Sequence, residues 1–305
     1  MTATRTLPVS SVAGRFVSSI AELSETRFAE PERVGELLAT RRRRTIAGGD
    51  GRLMIVACDH PARGALGASG NATAMADRAE LLGRLVTALS RPGVDGLLAT
   101  ADIAEDLLLL GALEDKVVFS SINRGGLQGS VFELDDRSTG YDVQGTIDAR
   151  FDGAKMLTRI DLDDPATVVT LETQGKIISE LNRARLIALV EPFLSRRVGG
   201  TIVNDLSPDA VIKSIAIASG LGASSAYTWM KLPVVAEMER VMAATTLPTL
   251  LLGGDPDNDP DETYAAWEAA LALPSVRGLV VGRTMLYPAD DDVAKAVDTA
   301  VSLVR

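Results

Sequence analysis

Short apolar runs alternate with longer amphipathic stretches from residue 53 onward. The apolar runs predict eight strands: Leu53–Cys58, Gly96–Ala99, Lys116–Ser120, Ala154–Thr158, Arg185–Val190, Ala226–Lys231, Pro248–Leu252 and Gly278–Val281. Helical patterns lie between them, at Arg78–Leu89, Ala166–Leu181, Pro208–Ser219, Pro233–Ala244 and Asp261–Leu273. Short, continuously apolar runs are typical of strands that are buried on both faces of a parallel sheet.

The alternation of strand and helix predicts an α/β protein with a (β/α)8 TIM barrel. An open doubly wound sheet is the competing fold, because periodicity does not report whether a sheet closes. The count of eight, and the absence of a GxGxxG motif after the first strand, favour the barrel. Residues 1–50 show a helical pattern at Glu32–Arg41 and are predicted to form a short N-terminal extension, with the barrel over 51–305. The loop 123–145 either covers a ligand or is simple surface chain.

Charge and composition narrow the classes of partner. The net charge of −10 argues against nucleic acid or an anionic membrane as a partner. The run Arg41–Arg44 could be a local basic patch, although a solvated helix end is the simpler interpretation. The sequence shows neither an apolar run long enough to span a membrane nor the apolar core of a secretory signal, so a cytoplasmic protein is expected.

The scarcity of cysteine and histidine limits the possible chemistry. Cys58 is the single cysteine, which excludes an internal disulfide, and His60 is the single histidine. A catalytic zinc needs about three protein ligands, and the neighbours Cys58, Asp59 and His60 cannot easily converge on one ion. We therefore expect neither a metal nor a cofactor. A serine triad would depend on the same histidine, and no GxSxG motif supports one.

Polar residues stand at the ends of the predicted strands, where barrel enzymes place their catalytic groups. In strand order they are Asp59 and His60, Asn123 and Arg124, Lys155 and Arg159, Glu191, Lys231, Gly253 and Gly254, and Gly282 and Arg283.

The lysines are the most informative of these residues. Only six of the 31 basic residues are lysines, yet Lys155 and Lys231 stand within apolar strand-like text. A buried ammonium is costly unless it is paired or loses its proton, and only a neutral amine attacks a carbonyl carbon. Two such lysines on nearby strands favour the neutral form of one of them. The alternative is that their stems reach solvent or pair with carboxylates.

Glu191 and Asp59 are candidate proton carriers beside such an amine. Pairing with Lys155, Arg159 or Arg63 is a structural alternative, and it is compatible with catalysis. The last two strand ends resemble a phosphate site, since barrels often bind phosphate with the loops after strands seven and eight. Gly253, Gly254 and Gly282 would present backbone N–H groups and Arg283 a guanidinium.

Together these segments resemble the class I aldolase superfamily, over residues 53–287. The similarity is to the tagatose bisphosphate, archaeal-type fructose bisphosphate and deoxyribose-phosphate aldolases. Its motifs are VACDHPARGAL, GAKMLTRID, ALVEPFLS, TWMKLPVV, LLLGGD and GLVVGRTML. The chain also resembles an actinobacterial barrel family associated with inositol catabolism.

The resemblance implies specific roles for these residues. Lys231 would form the Schiff base, and Glu191 would be its proton-transfer partner. Lys155 and Asp59 would belong to the inner polar shell, and Gly254 and Arg283 would bind phosphate. The sequence departs from the pattern at Pro61 and Ala62, which puts the role of Arg63 in doubt. It departs again at the acidic Asp255, Asp257 and Asp259, which we expect to face solvent.

The leading hypothesis is therefore a metal-independent aldolase that cleaves a phosphorylated ketose or deoxy-keto sugar acid through a lysine Schiff base. The resemblance to the inositol-catabolism family implies 5-dehydro-2-deoxygluconate phosphate as substrate. Arg159 and His60 are further candidate substrate contacts, and a homo-oligomer is expected. The alternatives are a barrel isomerase or epimerase that uses Lys and Glu as acid and base, and a non-catalytic sugar-phosphate-binding protein.

Overall fold

The strands of the computed structural model, which describes residues 16–46, 49–123, 126–254 and 259–305, close into a barrel. They are β1 (Leu53–Cys58), β2 (Gly96–Ala99), β3 (Val117–Ser121), β4 (Gly153–Ile160), β5 (Ile187–Val198), β6 (Thr201–Asn204), β7 (Thr228–Leu232), β8 (Thr249–Leu252) and β9 (Val276–Val281). All except β6 pair in parallel in the order β4-β3-β2-β1-β9-β8-β7-β5, and the pairing of β4 with β5 closes the circle. The predicted (β/α)8 barrel is confirmed.

Helices connect the strands and surround the barrel. They are α1 (Ile20–Ala29), α2 (Arg33–Thr40), α3 (Arg78–Ser90), α4 (Ala101–Leu109), α5 (Val143–Asp148), α6 (Ala166–Arg183), α7 (Pro208–Ser219), α8 (Met238–Met242), α9 (Pro260–Leu271), α10 (Arg283–Leu286) and α11 (Val293–Val304). A 3₁₀ turn, Pro61–Arg63, follows β1. The predicted N-terminal helical extension is present as α1 and α2. None of the helices in these residues has the length and apolar character to cross a bilayer.

The helix predicted over Pro233–Ala244 is mostly wrong, because only α8 forms there. Glu237, which precedes α8, has a left-handed backbone conformation that interrupts a helix. The residues before it instead run along the barrel opening, where Pro233 and Val234 line a cavity.

β5 continues beyond its predicted end and turns back as an antiparallel hairpin with β6. Val198 pairs with Thr201, and Gly199 and Gly200 form the turn with φ values of 57° and 88°. A two-residue turn with positive φ at both positions strongly favours glycine, and its twist matches that of the flanking strands. The sequence prediction ended the strand at Val190 and missed this hairpin.

Alternate residues of the strands pack on opposite sides of the barrel wall. Leu53, Ile55 and Ala57 of β1 belong to the inner apolar cluster, whereas Met54, Val56 and Cys58 pack against the helices. This alternation follows from the two-residue period of a strand. It also determines that the next odd residue, Asp59, faces the interior.

The arginine run is an extended segment that crosses the amino ends of β2, β3 and β4. Arg41 is only 2% exposed and donates hydrogen bonds to the carbonyl oxygens of Lys116 and Arg150, at 2.9 and 3.0 Å. Arg43 contacts the buried Asp152 at 2.8 Å, and Arg44 contacts the buried Asp95. The run is therefore neither a solvated helix end nor a free basic patch, because its side chains attach the N-terminal segment to the barrel.

We expect Asp95→Asn to lower the free energy of unfolding by about 3 kcal/mol, because it removes one partner of a buried ion pair. Asp95 contacts Arg44, pairs with Arg305 at 2.6 Å and accepts the Met54 N–H at 2.7 Å. Urea denaturation measures the change. The matched control Asp298→Asn breaks an exposed pair with Arg91 and should lower the value by less than ~1 kcal/mol. Equal losses in the two variants would contradict this account.

Candidate active site

Four ionisable side chains converge inside the carboxyl-terminal end of the barrel. Asp59, Glu191 and Lys231 each lie two residues after an apolar residue that belongs to the inner cluster or packs against it, namely Ala57, Leu189 and Trp229. Lys155 lies between Ala154 and Met156, which pack on the helix side of the wall, so its own side chain faces the interior. All four are buried, with exposed fractions between 1% and 8%. Their closeness therefore follows from strand register, since parallel strands bring the same parity to the same interior.

Glu191 lies between the two lysines. Its Oε1 is 3.0 Å from the Lys231 Nζ, and its Oε2 contacts the Lys155 Nζ. Lys155 also donates to the Asp59 Oδ2 at 3.2 Å. The result is a chain of alternating charge, Asp59–Lys155–Glu191–Lys231, in which each buried charge has an opposite partner. We call these four residues the polar chain.

Ser121 supports the polar chain from β3. Its hydroxyl donates to the Asp59 Oδ2 at 3.0 Å, and the side chain is completely buried. Sequence reasoning ended this strand at Ser120 and did not identify Ser121. The available signal was that Ser121 lies two residues after Phe119, which belongs to the inner apolar cluster.

The charge of Glu191 is determined by its two neighbours. Burial by itself raises the pKa of a carboxyl group, but the ammonium groups of Lys155 and Lys231 outweigh burial and lower the pKa of Glu191 to about 2. Glu191 is therefore a carboxylate at neutral pH. As a carboxylate it can accept a proton from a neighbouring group.

His60 lies beside the polar chain as a neutral imidazole. Burial, together with the positive charges of Arg283, Lys231 and Lys155, lowers the pKa of His60 to about 3, although Asp59 acts in the opposite direction. The His60 Nδ1 is 3.8 Å from the Asp59 Oδ1 and makes no hydrogen bond within the described residues. The side chain is thus available for a neutral polar contact with a ligand.

Cys58 does not belong to this site. Its side chain packs on the helix side of β1 and is completely buried, while Asp59 faces inward. Burial raises the pKa of the Cys58 thiol well above its usual range. No group of three or more His, Cys, Asp or Glu side chains with metal-binding geometry occurs in the described residues.

A cavity of about 660 Å³ opens above the polar chain. Lys155, Glu191, Lys231, Asp59 and His60 form part of its lining. One wall is largely apolar and comes from β5, β6 and the segments that follow β6 and β7; its residues are Phe193, Ile202, Leu206, Pro233 and Val234. The contributions of Ile202 and Leu206 were not predicted, because the hairpin itself was not.

The predicted phosphate-binding residues Gly253, Gly254, Gly282 and Arg283 also line the cavity, where β8 and β9 end. A Cβ on Gly253 would lie 2.6 Å from the Val281 Cγ1, and one on Gly282 would lie 2.4 Å from the Ala57 carbonyl oxygen. Gly254 has a positive φ of 74° and open space around it. Close packing therefore requires Gly253 and Gly282, and this packing leaves their backbones beside the cavity.

Arg283 is the cation at this end of the cavity. One of its terminal nitrogens donates to the Gly67 carbonyl oxygen at 3.3 Å, and no carboxylate lies within ion-pair distance of it in the described chain. Asp259 also lines the cavity; it is exposed, and its carboxylate accepts the backbone N–H groups of Asp261 and Glu262 at the start of α9. Asp255 and Asp257 lie outside the described residues.

The guanidinium of Arg159 lines the cavity but is already engaged. It donates to the Asp136 carboxylate at 2.6 and 2.9 Å and also contacts the Glu133 carbonyl oxygen. Arg63 is similarly held, donating to the Gly126 carbonyl oxygen at 3.1 Å. Asn123 is buried and binds the backbone of Leu157. Arg124, the other polar residue predicted after the third strand, lies outside the described residues.

Comparison with known proteins identifies the family. A family model described as Cgl0159-like matches residues 51–301. The chain belongs to the Cgl0159-like family. Its structure is similar to that of Cgl0159 from Corynebacterium glutamicum, with 56% identity and a TM-score of 0.92 over 97% of this chain and 99% of that one. A comparison with curated proteins gives no match.

More distant structures share the fold. An archaeal fructose-1,6-bisphosphate aldolase, solved with its catalytic lysine covalently bound to the carbinolamine intermediate of its substrate, has 20% identity and a TM-score of 0.63 over 89% of this chain and 99% of that one. The fructose-bisphosphate aldolase from Slackia heliotrinireducens has 14% identity and a TM-score of 0.64 over 97% and 89% of the two chains. At these identities the similarity establishes a common barrel architecture.

We predict that His60 does not titrate between pH 5 and pH 8 in the folded protein. Because His60 is the only histidine, one imidazole C–H signal in a proton NMR titration reports it directly. The urea-unfolded chain is the control and should titrate near ~6.5. The folded pKa lies below the unfolded value, so the unfolded state binds the proton first and stability decreases as the pH falls below that value. An inflection near neutral pH in the folded protein would overturn the prediction.

Proposed function

We propose that the protein is a metal-independent class I aldolase, which cleaves a phosphorylated ketose or deoxy-keto sugar acid through a Schiff base on Lys231. The observation that supports this most is the buried Lys231 amine, 3.0 Å from the Glu191 carboxylate and open to a cavity large enough for a sugar phosphate. A buried amine next to a proton acceptor is the arrangement that carbonyl addition requires.

The contacts of the two lysines assign different roles to them. Lys155 contacts two carboxylates, Asp59 and Glu191, whereas Lys231 contacts Glu191 alone among the ion pairs of the described residues. Lys155, with its two carboxylate contacts, is assigned to holding Glu191 in position. Lys231, with a single carboxylate contact, is assigned as the amine that attacks.

The reaction begins with the addition of neutral Lys231 to the substrate ketone. The Nζ forms a bond to the carbonyl carbon, and the carbonyl oxygen takes a proton from the nitrogen to give a carbinolamine. Glu191, which accepted the proton that Lys231 gave up on becoming neutral, then returns it to the carbinolamine hydroxyl, which leaves as water. The product is an iminium, whose positive nitrogen can accept an electron pair.

Carbon–carbon cleavage follows when a base removes the proton from the hydroxyl that is β to the iminium carbon. That hydroxyl becomes an aldehyde, the bond between the α and β carbons breaks, and its electrons form an enamine with Lys231. Asp59 is our candidate for this base, because it lies beyond Lys155 at the far end of the polar chain. Protonation of the enamine carbon and hydrolysis of the iminium release the ketone product and regenerate Lys231.

The substrate phosphate is assigned to the end of the cavity that Arg283, Gly253, Gly254 and Gly282 form. A phosphate there would meet a guanidinium and exposed backbone groups in a water-restricted site. His60 lies between this end and the polar chain, where its neutral imidazole suits a hydroxyl group of the sugar. Arg159 is held by Asp136, so we assign it to shaping the cavity wall. If Arg159 contacts the ligand, it does so while it remains paired with Asp136.

The archaeal aldolase named above uses a covalently bound lysine in a similar barrel, which is consistent with the proposal by analogy of fold. The resemblance to the inositol-catabolism family suggests 5-dehydro-2-deoxygluconate phosphate as a substrate to test first. Its cleavage would yield dihydroxyacetone phosphate and malonate semialdehyde. We expect the enzyme to act in the cytoplasm.

Borohydride reduction in the presence of this substrate or of dihydroxyacetone phosphate should leave a stable adduct on Lys231. Peptide mass spectrometry locates the adduct, and a triose-phosphate assay measures cleavage. Lys231→Met should abolish both signals, whereas the exposed Lys176→Met should change neither. Turnover without an adduct and without triose phosphate would instead identify an isomerase that uses acid–base chemistry. Binding that persists in Lys231→Met, without turnover in the wild-type protein, would identify a binding protein.

Arg283→Gln should raise KM for the phosphorylated substrate about 10- to 100-fold and change kcat much less, since it removes a charged hydrogen-bond donor to a group that does not react. Steady-state kinetics gives both constants. Arg277→Gln is the matched control, because Arg277 lies exposed near the other end of the same strand, β9. A loss confined to kcat would remove Arg283 from the phosphate site.

A further inference from the structure

Exposed apolar side chains concentrate on one sector of the carboxyl-terminal face. Eleven large hydrophobic side chains are exposed in the described residues, and nine of them lie in three segments. These nine are Leu127, Val131, Phe132, Leu162, Val168, Val169, Val198, Val203 and Leu206, with exposed fractions between 41% and 91%. We call them the rim patch. Single exposed apolar residues are ordinary, but such a concentration is typical of an interaction surface.

The three segments are neighbours in space. They follow β3, β4 and β5, which are adjacent strands of the barrel, and Ile160 at the end of β4 pairs with Leu194 of β5. The Arg197 guanidinium also donates to the Val131 carbonyl oxygen at 3.0 Å, which joins the hairpin to the segment after β3. The rim patch is therefore one surface that three loops share.

The β5–β6 hairpin has two different faces. Arg196 pairs with Val203 and Val198 pairs with Thr201, so these four side chains share one face. Ile202 and Asn204 belong to the other face and line the cavity. The first face is exposed, and β6 is the edge strand of its sheet. An exposed edge strand has backbone groups that can pair with another strand.

Charges of both signs border the rim patch without forming ion pairs among the described residues. Arg196 and Arg197 lie on the hairpin, and Asp161, Asp163 and Asp164 lie between β4 and α6. In the ranges that the structure describes, none of these five side chains forms an ion pair with another residue of the chain. A surface that carries both signs can neutralise itself in a two-fold contact, in which each copy presents its arginines to the acidic loop of the other.

We propose that the rim patch binds a second copy of this chain, with two hairpins related by a two-fold axis. The antiparallel edge strand, the apolar face and the charges of opposite sign are each self-complementary, as a two-fold interface requires. A stable dimer buries on the order of 800 Å² per subunit, which three adjacent loops with nine exposed apolar side chains can supply. The interface would lie directly behind the cavity wall that Ile202 and Asn204 form. It is independent of the proposed reaction.

Sedimentation velocity of the full chain across protein concentrations up to ~100 µM tests the proposal. The wild-type protein should sediment as a dimer or larger assembly. Val198→Asp combined with Val203→Asp should weaken self-association at least ~100-fold, because it places unpaired carboxylates in the contact. Leu162→Asp combined with Val168→Asp, on the other side of the rim patch, should have the same effect.

Phe28→Asp is the matched control, since Phe28 is 85% exposed on α1 and lies outside the rim patch. It should leave the assembly intact. Thermal unfolding by circular dichroism should show that all variants remain folded, because the substituted side chains are exposed. A monomeric wild-type protein, or rim-patch variants that still associate like the control, would overturn the proposal. Cosedimentation of a wild-type monomer with vesicles of phosphatidylcholine and phosphatidylserine would assign the rim patch to a membrane instead.

Discussion

The contact of one carboxylate with two ammonium groups organises the interior of this barrel. Glu191 lies between Lys155 and Lys231, and Asp59 extends the alternation of charge by one residue. Without Glu191, two positive charges would face each other in a site with little water, and a barrel interior cannot hold that repulsion cheaply. The same contact keeps Glu191 ionised and leaves Lys231 with a single carboxylate partner among the ion pairs of the described residues. The structure of the interior and the proposed reaction thus depend on one arrangement of charges.

The barrel wall supplies the precision that this arrangement needs. The members of the polar chain come from four different parallel strands, Asp59 directly after β1 and the other three within β4, β5 and β7, and strand register determines which side chains point inward. Ser121 adds a hydroxyl from a fifth strand. At the opposite end of the barrel, Arg41, Arg43 and Arg44 hold the N-terminal segment against the amino ends of the strands. The arginine run and the polar chain therefore lie at opposite ends of the barrel.

The cavity is chemically asymmetric. Arg283 and three glycines form one side, whereas Phe193, Ile202 and Leu206 contribute an apolar wall on another. A ligand that bridges these sides would place its anionic group near Arg283 and its carbonyl near Lys231. The apolar wall belongs to the hairpin whose outer face forms part of the rim patch. Contacts on the outside of the hairpin can therefore influence the shape of the cavity.

The sequence by itself determined the barrel, the starts of all eight parallel strands to within two residues, and the residues of the polar chain. These follow from local rules: buried strands are continuously apolar, and a lysine or carboxylate at a strand end of a barrel faces a shared site. Only the tertiary structure decided which partner each charge takes, for example that Arg159 pairs with Asp136 while Lys155 pairs with Glu191. It also decided the hairpin after β5, the short helix α8 in place of the longer helix predicted over Pro233–Ala244, and the role of the arginine run. These features depend on contacts between segments far apart in the chain, and hydrophobic periodicity holds no information about such contacts.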